Sequence, residues 1–164
     1  MLTLPPALTT GNADIDRHHA DFLDALNAVG AASGDAVLAA LDQLQAHCEV
    51  HFTFENEQMK ASNFPPIGCH LGEHDMVTET VRAVRQRVAA GYPEIAQSLE
   101  PALTQWFENH VQSMDAVLAL YLAQPPENWA AAPAGAASAS TPACGVPAED
   151  WGAALDALRG AERV

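Results

Sequence analysis

The sequence predicts an all-α fold: an up-down-up-down four-helix bundle, followed by an Ala/Pro-rich linker and a short C-terminal helical segment. Three observations lead there. Apolar residues recur every three or four positions through four long runs between residues 14 and 124. Short breaks rich in proline, glycine or serine separate those runs. Connections that short, between helices of three turns or more, make sequence neighbours antiparallel in space.

Taken in order, residues 1–13 hold Pro5, Pro6 and Gly11 and read as an arm with little regular structure. A first helix is expected over 14–32, with Ile15, Phe22, Leu26 and Val29 on its apolar face. Asp14 and Asp16 suit its positive N-terminal end. Ser33-Gly34-Asp35 breaks the chain, and a second helix follows over 35–61, stopped by Pro65 and Pro66. A third starts near Pro66. Its stripe is His70, His74, Val77, Val81, Val84 and Val88, with Arg82, Arg85 and Arg87 directed away, and Gly91-Tyr92-Pro93 ends it. The fourth, over 94–123, places Leu99, Leu103, Trp106, His110, Met114, Val117 and Tyr121 on one face, with Pro101 near its start. The bundle is thus expected over 14–124 and the linker over 125–147, where 130–147 is mostly Ala, Pro, Gly and Ser. In the tail, 148–164, Trp151, Leu155 and Leu158 share one helical face. That face suits docking on a protein partner or back on the bundle; a fraying end is the plainer alternative.

A chain of 164 residues suffices for one domain with a proper core. The formal net charge of −14, with seven Lys plus Arg, argues against nucleic acid and anionic membranes as partners. No apolar run is long enough to span a bilayer, and no basic-then-apolar leader opens the chain, so a cytoplasmic protein is expected. The three cysteines lack CxxC spacing, which suggests neither a disulfide framework nor a zinc knuckle. Cys48 and Cys69 read as small buried hydrophobes.

All seven histidines fall in the four helical runs. His51 and Glu55, one turn apart, project from the stripe that Leu41, Leu44, Cys48 and Met59 mark as inward-facing. A carboxylate and an imidazole buried there are costly unless something pairs with them. Each of the other helices adds a histidine on its inward stripe, and the fourth adds Asp115. A shared metal site explains the set economically. Imidazoles with carboxylates suit iron, zinc, copper or nickel. Five histidines and two carboxylates exceed the needs of one ion and fit two ions bridged by carboxylates, a pair able to bind dioxygen and lend it electrons. His110 and Asp115 differ by about 140° around an ideal helix. Either a single wide turn lies between them, or the site sits beside the stripe and they reach it from opposite flanks.

The ordered motifs resemble the hemerythrin family in its bacterial single-domain form. Ile15-Asp16-Arg17-His18-His19 matches Ile-Asp-x-x-His, and His51-Phe52-Thr53-Phe54-Glu55 matches His-Phe-x-x-Glu, with the usual Met at Met59. His70 and His74 match His-x-x-x-His; Trp106, His110 and Asp115 match Trp-x-x-x-His-x-x-x-x-Asp. The resemblance covers about residues 11–122. It implies a non-haem di-iron centre, oxo- or hydroxo-bridged, that binds dioxygen reversibly for storage, delivery or sensing. By position, His70, His74 and His110 would hold one iron, His19 and His51 the other, and Glu55 and Asp115 would bridge them. Phe54, Trp106, Val111 and Met114 would form an apolar wall. A di-iron oxidase, peroxidase or nitric-oxide-handling enzyme on the same scaffold is the alternative. His18 is expected at the edge of its face, in contact with water, and His47 as a hydrogen-bond partner of a ligand. Asn56 stands where the family often has a second glutamate, with little consequence expected.

Overall fold

Asn12 opens the first helix, its side-chain oxygen accepting from the backbone N–H of Asp14 at 3.1 Å and of Ile15 at 3.3 Å. In the computed structural model, which describes residues 1–124, that helix is α1 (Ala13–Ala31). α2 (Ala36–Ser62) follows, and Asn63 ends it in the left-handed region at φ 55°. α3 is Ile67–Ala89, with Pro66 at its N-cap. A 3-10 segment, Pro93–Ser98, leads into α4 (Leu99–His110), and Pro101 falls in α4's first turn, where its missing N–H is harmless. The described residues contain helices and no strand. The expected linker and tail lie outside them.

Between α4 and α5 (Ala116–Ala123) runs one π turn, Val111–Asp115, and the N–H of Ala116 bonds the carbonyl of Val111, five residues back. The wide turn foreseen between His110 and Asp115 is present. It overturns part of the expected stripe. The extra residue shifts the register, so Leu118 and Ala119 face inward while Val117 stands 39% exposed and Met114 and Tyr121 are half-buried.

The arm is also less free than expected. Leu8 is buried and Leu2 and Leu4 pack on the core. Asn27 Nδ2 donates to the carbonyl of Leu2 at 2.7 Å. Asp16 accepts from Thr10 N and Oγ1 and from Gly11 N at 2.7–3.2 Å, which makes it an anchor for the arm.

Two apolar clusters divide the interior. The larger runs through Phe22, Leu26, Leu41, Leu44, Val81, Val84, Leu103 and Phe107. The smaller joins Ile15, Met59, Phe64, Leu118 and Ala119. Along the chain, the buried histidine and carboxylate side chains gather where the larger cluster gives way to the smaller. Cys48 is a buried free thiol, as its place on the stripe implied. Cys69 corrects the sequence reading: it is half-buried and disulfide-bonded, with its partner beyond the described residues.

The π turn is testable by deletion. Removing exposed Ser113 should turn it into regular helix with His110 and Asp115 four apart, about 40° around the axis, and leave metal content intact. Removing exposed Glu108 from α4 should instead rotate everything before it by about 100° and abolish metal binding. Elemental analysis with circular dichroism separates these outcomes.

Candidate metal centre

Glu55 and Asp115 are 0% and 1% exposed, deep among helices that offer them no lysine or arginine partner. Burying a carboxylate costs several kcal/mol even after relaxation. Five imidazoles answer it. His51 Nε2 lies 3.3 Å from Glu55 Oε1. His70 Nε2 and His74 Nε2 lie 3.3 and 3.2 Å from Glu55 Oε2. Asp115 divides in the same way: Oδ2 faces His19 Nε2 at 3.0 Å, whereas Oδ1 faces His70 Nε2 at 3.0 Å and His110 Nε2 at 3.2 Å. One oxygen of each carboxylate therefore belongs with His19 and His51, and the other with His70, His74 and His110.

These contacts have hydrogen-bond lengths, yet several lack hydrogen-bond geometry. His19 Nε2, His74 Nε2, Glu55 Oε2 and both Asp115 oxygens are buried without a hydrogen-bond partner. His70 Nε2 and His110 Nε2 face each other at 3.1 Å. Adjacent donors on a six-coordinate ion with bonds of about 2.1 Å sit roughly 3 Å apart, the spacing seen here. Two groups of donors converge closely enough to hold a metal ion, Glu55, His70, His74, His110 and Asp115 in one and His19, His51 and Glu55 in the other. Glu55 belongs to both. All seven donors expected from the sequence are brought together.

The electrostatics of the metal-free cluster follow from burial and proximity. For Glu55, burial and the Asp115 charge push the carboxyl up, but the close approach of the His51, His70 and His74 imidazoles outweighs them and holds it well below the usual carboxylate range. Asp115 is also held well below it: burial acts upward and loses to the charge of His110 and to the close approach of the His110, His19 and His70 rings. Burial alone would lower His70, yet Asp115 and Glu55 raise it to about 9. His74 goes the other way, to about 3, chiefly through burial.

Rings and one amide fix the imidazole planes. Phe52 stacks on His74 at 4.0 Å and 9°, Trp106 stacks on His110 at 4.5 Å, and Phe107 meets His19 edge-on at 5.2 Å. Trp106 Nε1 donates to Glu73 at 2.7 Å. His74 Nδ1 lies 3.1 Å from Asn56 Oδ1, which accepts its proton and leaves Nε2 free for a metal. Asn56 thus matters more than its sequence context suggested. Of the expected apolar wall, Trp106 and Val111 are buried, and Phe54 and Met114 half-buried. Phe107 and Glu73 were missed by sequence reasoning. The one signal for Phe107 was its place beside Trp106.

Two expectations are corrected. His18 is 7% exposed and stacks on His51 at 5.3 Å and 9°, with Phe54 4.9 Å away. α1 packs on α2 as well as α4, so a step of about 100° from His19 still ends under a neighbour. His47 Nε2 donates to the backbone carbonyl of His18 at 3.0 Å and so secures α1 instead of a donor ring.

Replacing His74 or Glu55 by Ala should abolish metal binding in at least one group, and His18→Ala should leave both intact; metal-to-protein ratios decide. Uptake should also release protons. Below pH of about 9 a metal must displace the proton His70 holds, so apparent affinity should rise about tenfold per pH unit for that proton and level off above. In the metal-free protein the sign reverses. Because His70 is raised above its unfolded value of 6.5, the stability it contributes is full below that pH and lost as pH climbs through about 9. Potentiometry during metal addition and melting of the metal-free protein across that window check both.

Comparison with known proteins agrees with this geometry. The family model described as hemerythrin HHE cation binding domain matches residues 10–122. A bacteriohemerythrin of Ralstonia nicotianae (strain ATCC BAA-1114 / GMI1000) is 45% identical over 118 residues, covering 72% of this chain and 86% of its own. A bacteriohemerythrin of Stenotrophomonas maltophilia (strain R551-3) is 29% identical over 112 residues, covering 66% of this chain and 72% of its own. No solved structure gives a significant match. With a family model spanning most of its length and all seven donors converging on one buried site, this chain belongs to the hemerythrin family.

Proposed function

We propose that this protein binds dioxygen reversibly at a non-haem di-iron centre, for storage, delivery or sensing. The observation that carries this reading is the division of the carboxylate oxygens. Glu55 and Asp115 each turn one oxygen towards His19 and His51 and the other towards His70, His74 and His110. Two irons bridged by those carboxylates fit the donor set: His70, His74 and His110 would hold one, and His19 and His51 the other. His19 and His51 supply fewer imidazoles than the other group, so an iron held there would leave room for a small ligand. Such a pair, when bound and ferrous, supplies two electrons to dioxygen. The short connections, with α1 packed on α2, α2 on α3 and α4 on both α1 and α3, support the up-down-up-down arrangement of the bundle.

The residues around the site favour carriage over turnover. Cleaving the oxygen–oxygen bond needs protons, and the nearby histidines are poor sources at neutral pH. Burial lowers His47 to about 4 and lowers His18 as well, so both rings are neutral there. Glu57 is exposed. Buried Trp106 and Val111 and half-buried Phe54 and Met114 exclude water that would otherwise deliver protons. With α1 secured on α2 and both apolar clusters closed, the donor rings are held without solvent.

Stopped-flow mixing of the reduced protein with oxygenated buffer, then removal of oxygen, tests the proposal. One dioxygen taken up per iron pair and recovery of the diferrous spectrum are expected. Rapid conversion to the diferric state with consumption of an added reductant would favour the redox enzyme.

A further inference from the structure

A histidine that offers Nε2 to a metal is commonly held by a hydrogen bond at its other ring nitrogen. His74 has one, from Nδ1 to the Asn56 amide. The Nδ1 atoms of His19, His51, His70 and His110 are buried with no hydrogen-bond partner among the described residues. An imidazole turns about χ2 with only a broad preference, so packing has to set the planes of those rings. For His110 the ring against it is Trp106, stacked at 4.5 Å and 27°.

Trp106 is 2% exposed, and its one polar group is the Nε1–H donor, which is costly to bury unpaired. Glu73 Oε2 accepts from it at 2.7 Å, a length typical of bonds to a charged acceptor. Glu73 of α3 directly precedes His74, and Trp106 of α4 lies one turn before His110. The bond therefore ties the two helices at the level of the donors. An indole held at Nε1 cannot swing about its own χ2. Its face then sets His110, and its flank meets Phe52 at 6.2 Å and 78°, the ring that stacks on His74 at 4.0 Å.

We infer that Glu73 is a positioning residue for the three-histidine group: its carboxylate fixes the Trp106 indole, which aligns His110 directly and His74 through Phe52. This rests on reading the buried cluster as a metal centre. Glu73 does not belong to either group of converging donors. It acts by ordering the rings before an ion arrives, so less freedom is lost on binding.

Cobalt(II) binding to the full chain, stripped of metal, tests this. A His19→Ala parent breaks up the two-histidine group, so the affinity measured belongs to the other. In that parent Glu73→Leu should weaken cobalt binding about tenfold and shift the visible absorption that reports the geometry of the bound ion. Glu73→Gln should stay within about threefold and restore the spectrum, because its amide oxygen accepts the same N–H. Trp106→Phe keeps a ring over His110 without the N–H and should reproduce the loss, which decides the matter if Glu73→Leu does not fold. Adding Glu73→Leu to Trp106→Phe should change affinity by less than about twofold, since the carboxylate acts through the indole. Glu73→Leu binding cobalt as tightly as the parent would overturn the inference, as would fully additive losses in the double variant. Weaker binding with an unchanged spectrum would overturn it too, by making Glu73 a general brace of the fold. A wild-type chain that takes up no cobalt would instead sink the metal-centre reading, and this inference with it.

Discussion

Two carboxylates buried without a lysine or arginine partner among the described residues set the terms for this fold. Glu55 and Asp115 sit in the centre, and their charges are opposed by five imidazoles drawn from all the long helices. An uncompensated charge in such a place would cost more than a typical domain's margin of stability tolerates. The helices must therefore approach closely enough, in the correct rotation, for the Nε2 atoms to reach carboxylate oxygens at 3.0–3.3 Å. Hydrophobic packing brings the helices together, and the polar layer sets their rotation.

The π turn shows how local geometry yields to that demand. A regular helix would send Asp115 away from the point His110 faces; one extra residue in the turn brings both inside. The shift carries through α5, changing which apolar residues are covered. Leu118 and Ala119 gain the core, and Val117 and Leu120 are turned outward. The exposed apolar strip on α5 is thus a consequence of building the site.

The surroundings act on the site through orientation and exclusion. Phe52, Trp106 and Phe107 hold three of the imidazole rings in place, and the Asn56 amide fixes the side of His74 on which its proton sits. His18 and His47 complete a second layer of rings over His51. Their burial disfavours the charged form, so this side of the site is polar in composition but neutral in charge. A neutral, closed surround suits the reversible binding proposed for this site.

By itself the sequence determined the helical class, the helix limits to within a few residues, and the seven histidine and carboxylate side chains that the packed helices bring together. These were legible because each is local or periodic: prolines stop helices, apolar spacing marks the inward face, and histidine or carboxylate on that face demands a partner. It also posed the angular misfit between His110 and Asp115 that the π turn resolves. The tertiary structure decided what depends on neighbours far along the chain. His18 is buried because α2 lies over it, and His47 serves the backbone of α1 because that carbonyl happens to be near. Asn56 matters because His74 of another helix presents its proton there. Cys69 belongs to a bridge that no sequence spacing announces. Periodicity reports which way a residue points on its own helix; what stands opposite is fixed only when the helices pack.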